Sequence, residues 1–287
     1  MRILRTIAEV RAEVRAARRQ QHMRLGLVPT MGALHEGHLS LVRAARQRCH
    51  LVAATIFVNP LQFAPQEDFS SYPRTFAEDC ALLEREGVDL LFAPTAEEMY
   101  PHGATGTFVD VPGIGDRLDG RSRPGHFRGV ATVVAKLFNI LTPDEAFFGQ
   151  KDAAQVAVLQ AMVRDLNFNV DLIVCPTIRE EDGLALSSRN RYLNQQERTQ
   201  ALALSRSLQC VQQAAATGES DASALQQRLL HHLETADGVT LDYAEIIDPH
   251  SLQPVSDTRS GALVAVAAKV GSTRLIDNIL LAGVEAQ

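Results

Sequence analysis

The stretch "PTMGALHEGHLSL", residues 29–41, joins two segments with different hydrophobic patterns. The segment before it, "LGLVP" (25–29), is apolar without alternation and predicts a strand buried on both faces. The segment after it, residues 37–48, has apolar spacings of three and four and predicts a helix. Gly32 and Gly37 allow the backbone to approach a ligand closely. The stretch therefore predicts a strand, a loop and a helix N-terminus, and helix N-termini attract phosphate.

The same alternation of strand and helix continues on both sides of this loop. Further apolar runs predict strands at "LVAATIFV" (51–58), "VDLLFAP" (88–94) and "VDLIVCP" (170–176). Helical spacing fills the gaps at residues 75–86, 129–141 and 152–166. This order predicts an α/β fold with a doubly wound parallel sheet, whose ligands bind beyond the carboxyl ends of the strands.

The pattern changes after Pro176, which predicts a second, smaller α+β domain. Two helices are expected at 195–215 and 221–234, and strands near 241–248, 262–270 and 273–281. We therefore expect domains at residues 1–176 and 177–287. The glycine-rich stretch at residues 100–129 is expected to be a mobile flap over the pocket.

Composition excludes several classes of protein. The chain has 287 residues, 46% of them apolar, and a net charge of −6 with both signs of charge mixed along its length. A nucleic-acid or anionic-membrane binder is therefore disfavoured. The longest apolar runs fall far short of the roughly 18 residues of a membrane helix, and the start resembles no secretion signal. The four cysteines match no zinc or disulfide pattern, so we expect reduced thiols in a cytoplasmic protein.

His35 and His38 are the candidate catalytic pair, because they lie at the predicted helix N-terminus. An imidazole there can donate hydrogen bonds to phosphoryl oxygens and stabilise a pentavalent transition state. A capping or surface pair is the alternative. A metal pair is disfavoured because no further ligand completes a set nearby, so no metal-ligating residue is assigned.

Two later motifs are expected at the same edge of the sheet, since each follows a predicted strand. In "FFGQKDAAQ" (147–155), Lys151 offers a point charge for phosphate and Asp152 suits a helix cap. In "REEDGLALSSRNRYL" (179–193), two serines and Arg189 offer donors for a polyphosphate. Each cation could instead be a solvated surface charge.

Five motifs in register carry a resemblance that spans nearly the whole chain. They are "PTMGALHEGH" (29–38), "FVNPLQF" (57–63), "HFRGVATVV" (126–134), "FFGQKDAAQ" (147–155) and "DGLALSSRN" (182–190). Together they resemble the pantothenate synthetase, or pantoate:beta-alanine ligase, family of the nucleotidylyl transferase superfamily. The resemblance implies a Rossmann-like N-terminal domain and a smaller domain that closes over ATP. It also implies that pantoate and ATP form pantoyl adenylate and pyrophosphate, after which beta-alanine displaces AMP. Mg²⁺ accompanying ATP and a cytoplasmic homodimer are implied as well.

The resemblance also assigns site residues. His38, with His35 and Lys151, is implied to be catalytic. The implied ATP-binding residues are Met31, Gly32, Ala33, Leu34, His35, Glu36, Gly37, His38, Gly149, Gln150, Lys151, Asp152, Ile178, Leu186, Ser187, Ser188 and Arg189. Gln62 and Gln155 are implied to bind pantoate, with Gln62 also near beta-alanine and Asn59 a neighbouring polar contact. Family members commonly have methionine in place of Leu186 and glutamate in place of Gln150.

Two other functions stay open at this point. One is a different adenylyl- or cytidylyltransferase that stops after releasing pyrophosphate, which the glutamines of "FVNPLQF" disfavour. The other is a catalytically silent nucleotide-binding or RNA-contacting protein, which the acidic balance and the histidine pair disfavour.

Overall fold

The computed structural model divides into two compact units. It describes residues 1–19, 22–64, 67, 69–103 and 106–283. The first unit contains residues 1–149 and 158–176, and the second contains 150–157 and 177–287. The expected domains, 1–176 and 177–287, stay a prediction. Residues 104 and 105 of the expected flap, and residues 284–287 of the expected second domain, lie outside the described residues.

The described part of the first unit has a parallel sheet of six strands. They are β1 (Arg2–Leu4), β2 (Leu25–Val28), β3 (Leu51–Thr55), β4 (Leu90–Phe92), β5 (Glu145–Gly149) and β6 (Asp171–Cys175). The strands lie in the order β1-β4-β3-β2-β5-β6 and all pairs are parallel. The order therefore reverses between β2 and β5, and parallel sheets bind ligands beyond the carboxyl ends of strands at such a point. The predicted fold class is confirmed.

Helices connect these strands. They are α1 (Ile7–Ala17), α2 (Glu36–Arg48), α3 (Phe76–Arg85), α4 (Ala96–Met99), α5 (Asp119–Ser122), α6 (His126–Leu141) and α7 (Ala153–Asp165). Each of the four helices expected in this part of the chain is present, with its ends within a few residues of the prediction. In the described residues, no helix is both long and apolar enough to cross a membrane.

Two strand assignments differ from the sequence prediction. β1 was not expected, because three residues are too few to show a hydrophobic period. "FFGQKDAAQ" was expected to follow a strand, but Phe147, Phe148 and Gly149 are the end of β5 itself. The Phe147 side chain is fully buried, as expected for a strand that lies between two others in a parallel sheet.

The second unit packs two helices against an antiparallel sheet. The elements are α8 (Gln195–Ala216), α9 (Ala222–Glu234), β7 (Val239–Ile247), β8 (Ala262–Val270) and β9 (Thr273–Leu281), with β8 between the other two strands. Leu204 and Leu208 from α8, Leu229 from α9, and Val264 and Val266 from β8 belong to its apolar core. The expected α+β domain is confirmed.

A glycine in α6 fixes a turn that follows β3. A short 3-10 turn spans Pro60–Gln62. A Cβ on Gly129 would lie 2.2 Å from the carbonyl oxygen of Leu61 and 2.7 Å from the amide nitrogen of Gln62. Both atoms belong to the backbone, so they cannot turn aside as the end of a side chain would. The absence of a side chain at Gly129 therefore lets α6 contact the turn directly.

We expect Gly129→Ala to lower the free energy of unfolding by about 1–3 kcal/mol, since overpacking forces the backbone to shift. Gly106→Ala is the matched control, because a Cβ there meets nothing within 4 Å. Urea denaturation of both variants measures the difference. Equal midpoints for the two variants would show that the turn moves away from α6 without penalty.

Candidate functional site

The loop after β2 is anchored to the end of β3. The hydroxyl of Thr30 donates to the carbonyl oxygen of Thr55 at 2.6 Å, and the Thr30 amide donates to the Thr55 hydroxyl at 3.2 Å. The Gly32 amide then donates to the Thr30 hydroxyl at 3.2 Å. All of these groups are buried. The loop that carries the histidines therefore leaves the sheet in a fixed direction.

A buried carboxylate holds the middle of the same loop. Gly32 and Ala33 have φ values of +83° and +51°, in the left-handed region. Asp79 of α3, only 1% exposed, accepts hydrogen bonds from the amides of Ala33 at 3.0 Å and Leu34 at 2.8 Å. The Thr75 hydroxyl donates to the same carboxylate at 3.2 Å. These charge-assisted bonds offset the strain of the left-handed alanine, whereas Gly32 adopts its positive φ without steric cost.

His35 and His38 cap α2 with their own rings. His35 Nδ1 accepts from the Gly37 amide at 3.2 Å, and His38 Nδ1 accepts from the His35 amide at 3.3 Å. The ring centroids are 4.1 Å apart. A neutral imidazole whose Nδ1 accepts a hydrogen bond carries its proton on Nε2. The capping alternative is therefore observed, and the cap itself selects the tautomer in which each Nε2 is a donor.

Asn59, Gln62 and Met31 form a second group in the first unit. Asn59 Nδ2 donates to Gln62 Oε1 and to the carbonyl oxygen of Gly129, both at 3.1 Å. Asn59 Oδ1 accepts from the Tyr100 hydroxyl at 2.8 Å. Gln62 Nε2 in turn lies 2.9 Å from Met31 Sδ. Asn59 is thus the residue that orients the Gln62 amide, and its expected contact with substrate stays a prediction.

In the second unit, Asn278 fixes the turn that bears Lys151. Its Nδ2 donates to the carbonyl oxygens of Gln150 at 3.0 Å and Lys151 at 2.8 Å. Gln150 Nε2 donates back to Asn278 Oδ1 at 2.9 Å. Lys151 Nζ lies 3.3 Å from a carboxylate oxygen of Asp152. Gln150 therefore has a structural partner in β9.

The serine loop of the second unit is held by its own hydrogen bonds. The Leu186 amide donates to the carbonyl oxygen of Ile178 at 2.9 Å. Ser187 Oγ accepts from the Arg189 amide at 3.2 Å and caps a 3-10 turn at Ser188–Tyr192. These contacts hold Ile178 beside Leu186 and collect Ser187, Ser188 and Arg189 in one turn. Gln155, the other expected pantoate residue, lies in α7.

Two residues that hold the loops of the candidate site were not predicted from the sequence. Asp79 and Asn278 were not among the expected site residues, and each acts on a loop far away in the chain. The Asp79 bond to Ala33 spans 46 residues and the Asn278 bond to Gln150 spans 128. Asp79 lies in a predicted helix, where an acidic residue usually indicates a solvated face, so no local signal distinguished it.

Comparison with known proteins identifies the family. The model of the family described as pantoate-beta-alanine ligase matches residues 2–280. The chain belongs to the pantoate-beta-alanine ligase family. A pantothenate synthetase from Koribacter versatilis is 58% identical over 98% of this chain and 96% of its own length. One from Acidobacterium capsulatum is 57% identical over 98% and 97%. The expected family and the ligase class are confirmed.

Solved structures of pantoate-beta-alanine ligase family members have the same fold. Pantothenate synthetase from Thermus thermophilus is 48% identical, with a TM-score of 0.91 over 97% of this chain and 99% of its own. Pantoate-beta-alanine ligase from Francisella tularensis, complexed with beta-gamma ATP and beta-alanine, is 32% identical, with a TM-score of 0.79 over 98% and 97%.

We expect Asp79→Asn to lower the free energy of unfolding by about 1–3 kcal/mol, because an amide oxygen replaces only one of two acceptors and its NH₂ group faces a backbone donor. Glu78→Gln is the matched control, since Glu78 is exposed in the same first turn of α3. Urea denaturation and ligase turnover are measured for both. If the two variants behave alike, the carboxylate does not hold the loop.

Proposed function

We propose that this chain joins pantoate to beta-alanine in an ATP-dependent reaction that passes through pantoyl adenylate and releases pyrophosphate and AMP. Family membership supports the overall reaction, and the Francisella tularensis relative with beta-gamma ATP and beta-alanine supports two of the substrates. The observation that carries the proposal is the histidine cap of α2, whose two Nε2 donors suit phosphoryl oxygens.

The chemistry explains the need for an adenylate. A carboxylate is a poor target for an amine, because its oxygen is a poor leaving group. In the first half-reaction, a pantoate carboxylate oxygen attacks the α-phosphorus of ATP and the bond to the β-phosphate breaks, so pyrophosphate leaves. In the second, the beta-alanine amine attacks the carbonyl carbon, loses a proton and expels AMP. Positioning and charge stabilisation suffice for the first step.

Each proposed residue has a role that suits its chemistry. His38 and His35 donate from Nε2 to phosphoryl oxygens at the positive end of α2. Lys151 and Arg189 supply positive charge to the phosphates. Gln62 and Gln155 supply neutral amides for pantoate. The proposed ATP-binding residues are Met31 to His38, Gly149 to Asp152, Ile178 and Leu186 to Arg189.

We propose that Mg²⁺ binds together with ATP. Among the described residues, no group of three or more His, Cys, Asp or Glu side chains is placed to hold a metal ion. Mg²⁺ at nucleotides is usually held by phosphate oxygens, waters and one or two carboxylates. The half-exposed Asp152, whose carboxylate lies beside Lys151, would supply a carboxylate oxygen to an ion that arrives with the nucleotide. Bound Mg²⁺ would neutralise phosphate charge.

The remaining parts of the proposal rest on the family resemblance. They are residues 1–176 as the domain for nucleotide and pantoate, residues 177–287 as the domain that closes over ATP, a homodimer formed through the N-terminal domain, and a cytoplasmic location.

The two half-reactions can be measured separately. Pantoate alone should drive exchange of labelled pyrophosphate into ATP, because the adenylate forms before beta-alanine reacts. Adding beta-alanine should then give AMP and pantothenate in equal amounts. His38→Ala should slow the exchange about a hundredfold, the scale for losing one oriented transition-state donor. Exchange that requires beta-alanine, or ADP and phosphate as products, would exclude the adenylate.

The substrate subsites can be distinguished by Michaelis constants. Gln62→Ala should raise KM for pantoate about tenfold or more while changing KM for ATP little, because an amide hydrogen bond to one substrate is lost. Lys151→Ala should instead raise KM for ATP more than KM for pantoate. Steady-state kinetics with each substrate varied in turn provides the measurement. Equal effects of both substitutions on both substrates would contradict the assignment.

A further inference from the structure

A cluster at the start of α6 holds the main chain of Gln62. His126 Nδ1 lies 2.9 Å from the Gln62 carbonyl oxygen, and Arg123 Nη2 lies 3.3 Å from the same atom. Arg123 Nη1 lies 3.1 Å from His126 Nε2. The other edge of the guanidinium binds Glu67 in bidentate fashion, at 2.8 Å and 2.7 Å. Gln62 is therefore held through its carbonyl as well as through its side chain.

The hydrogen bonds permit a single protonation state of His126. A carbonyl oxygen can only accept, so His126 Nδ1 carries the proton and donates it to Gln62. His126 Nε2 then accepts from Arg123, which has only donors to offer. Burial, with the positive charge of Arg123, lowers the pKa of His126 to about 4. The ring is thus a neutral bridge between a cation and a carbonyl.

The cluster completes the restraint of Gln62 on both sides. The side-chain oxygen of Gln62 accepts a hydrogen bond from Asn59, and Gly129 lets α6 lie against the Gln62 backbone. Without the bond from His126, the carbonyl would lose its shorter partner and the turn could rotate. Such a rotation would carry the side-chain amide away from its substrate, and small displacements of positioned groups have large kinetic effects.

We propose that His126 and Arg123 are positioning residues for the pantoate-binding amide of Gln62. This inference rests on the proposed function, in which Gln62 binds pantoate. Neither residue contacts a reacting atom in this proposal. Both act through the Gln62 carbonyl. Their loss should therefore raise KM for pantoate and leave KM for ATP nearly unchanged.

Three substitutions at His126 separate the two bonds of its ring. An asparagine amide nitrogen falls near the position of Nδ1, so His126→Asn retains the donor to Gln62. His126→Gln reaches the position of Nε2 and retains a partner for Arg123 only, and His126→Ala loses both. We expect KM for pantoate to rise about tenfold or more in the alanine and glutamine variants and less than about threefold in the asparagine variant. KM for ATP should change less than about threefold in all three.

The test is made on the full chain, with urea denaturation to identify variants that do not fold. If the alanine or glutamine variant fails to fold, Arg123→Lys replaces it, and its loss of the forked contact should also raise KM for pantoate alone. A wild-type chain without pantoate-dependent ligation would refute the proposed function. An active wild type whose His126 variants share one KM for pantoate, or change KM for ATP equally, would refute the positioning role.

Discussion

The buried carboxylate of Asp79 is the constraint on which the candidate site of the first unit depends. The chain must turn sharply after β2, and it does so with two left-handed residues, one of which is an alanine. The left-handed conformation is unfavourable for the alanine by about 1–3 kcal/mol, while the glycine adopts it without steric cost. Asp79 offsets this by accepting both amides that the turn exposes, at positions 33 and 34. The end of the turn is where His35 caps α2, so this carboxylate and the Thr30–Thr55 bonds together fix the position of the histidines.

Polar side chains in this protein orient other polar side chains before any substrate binds. His35 and His38 each give Nδ1 to a backbone amide, which fixes the ring and puts the proton on Nε2. The Asn59 side chain donates to Gln62 Oε1 and the Gly129 carbonyl oxygen, and it accepts from the Leu61 amide and the Tyr100 hydroxyl. Buried polar groups require partners, and here those partners include candidate site residues such as Gln62. The requirement for satisfied hydrogen bonds and the requirement for preorganisation are therefore met by the same contacts.

The sequence predicted those features that have a local signal. Buried strands were predicted from apolar runs. The helix after residue 35 was predicted from apolar residues spaced three and four apart, close to Gly32 and Gly37. β1 was missed because three residues carry no period. Asp79 and Asn278 were missed because their function depends on partners 46 and 128 residues away. Motifs predicted which side chains form the candidate site, while the residues that hold their loops were visible only in the fold.

The charges around Gln62 suit a carboxylate that must react rather than remain bound. Burial would raise the pKa of Glu67, but hydrogen bonds and charge from Arg123 lower it overall, so this carboxylate is ionised. Arg123 and Glu67 then cancel, and His126 is neutral. In the proposed reaction, pantoate therefore meets neutral amides beside a balanced ion pair. A cation bound directly to its carboxylate would stabilise the nucleophile and lower its reactivity. Recognition by neutral amides stabilises the carboxylate less than a cation would, so its oxygen stays the better nucleophile toward the α-phosphorus, while the positive groups are reserved for the phosphates.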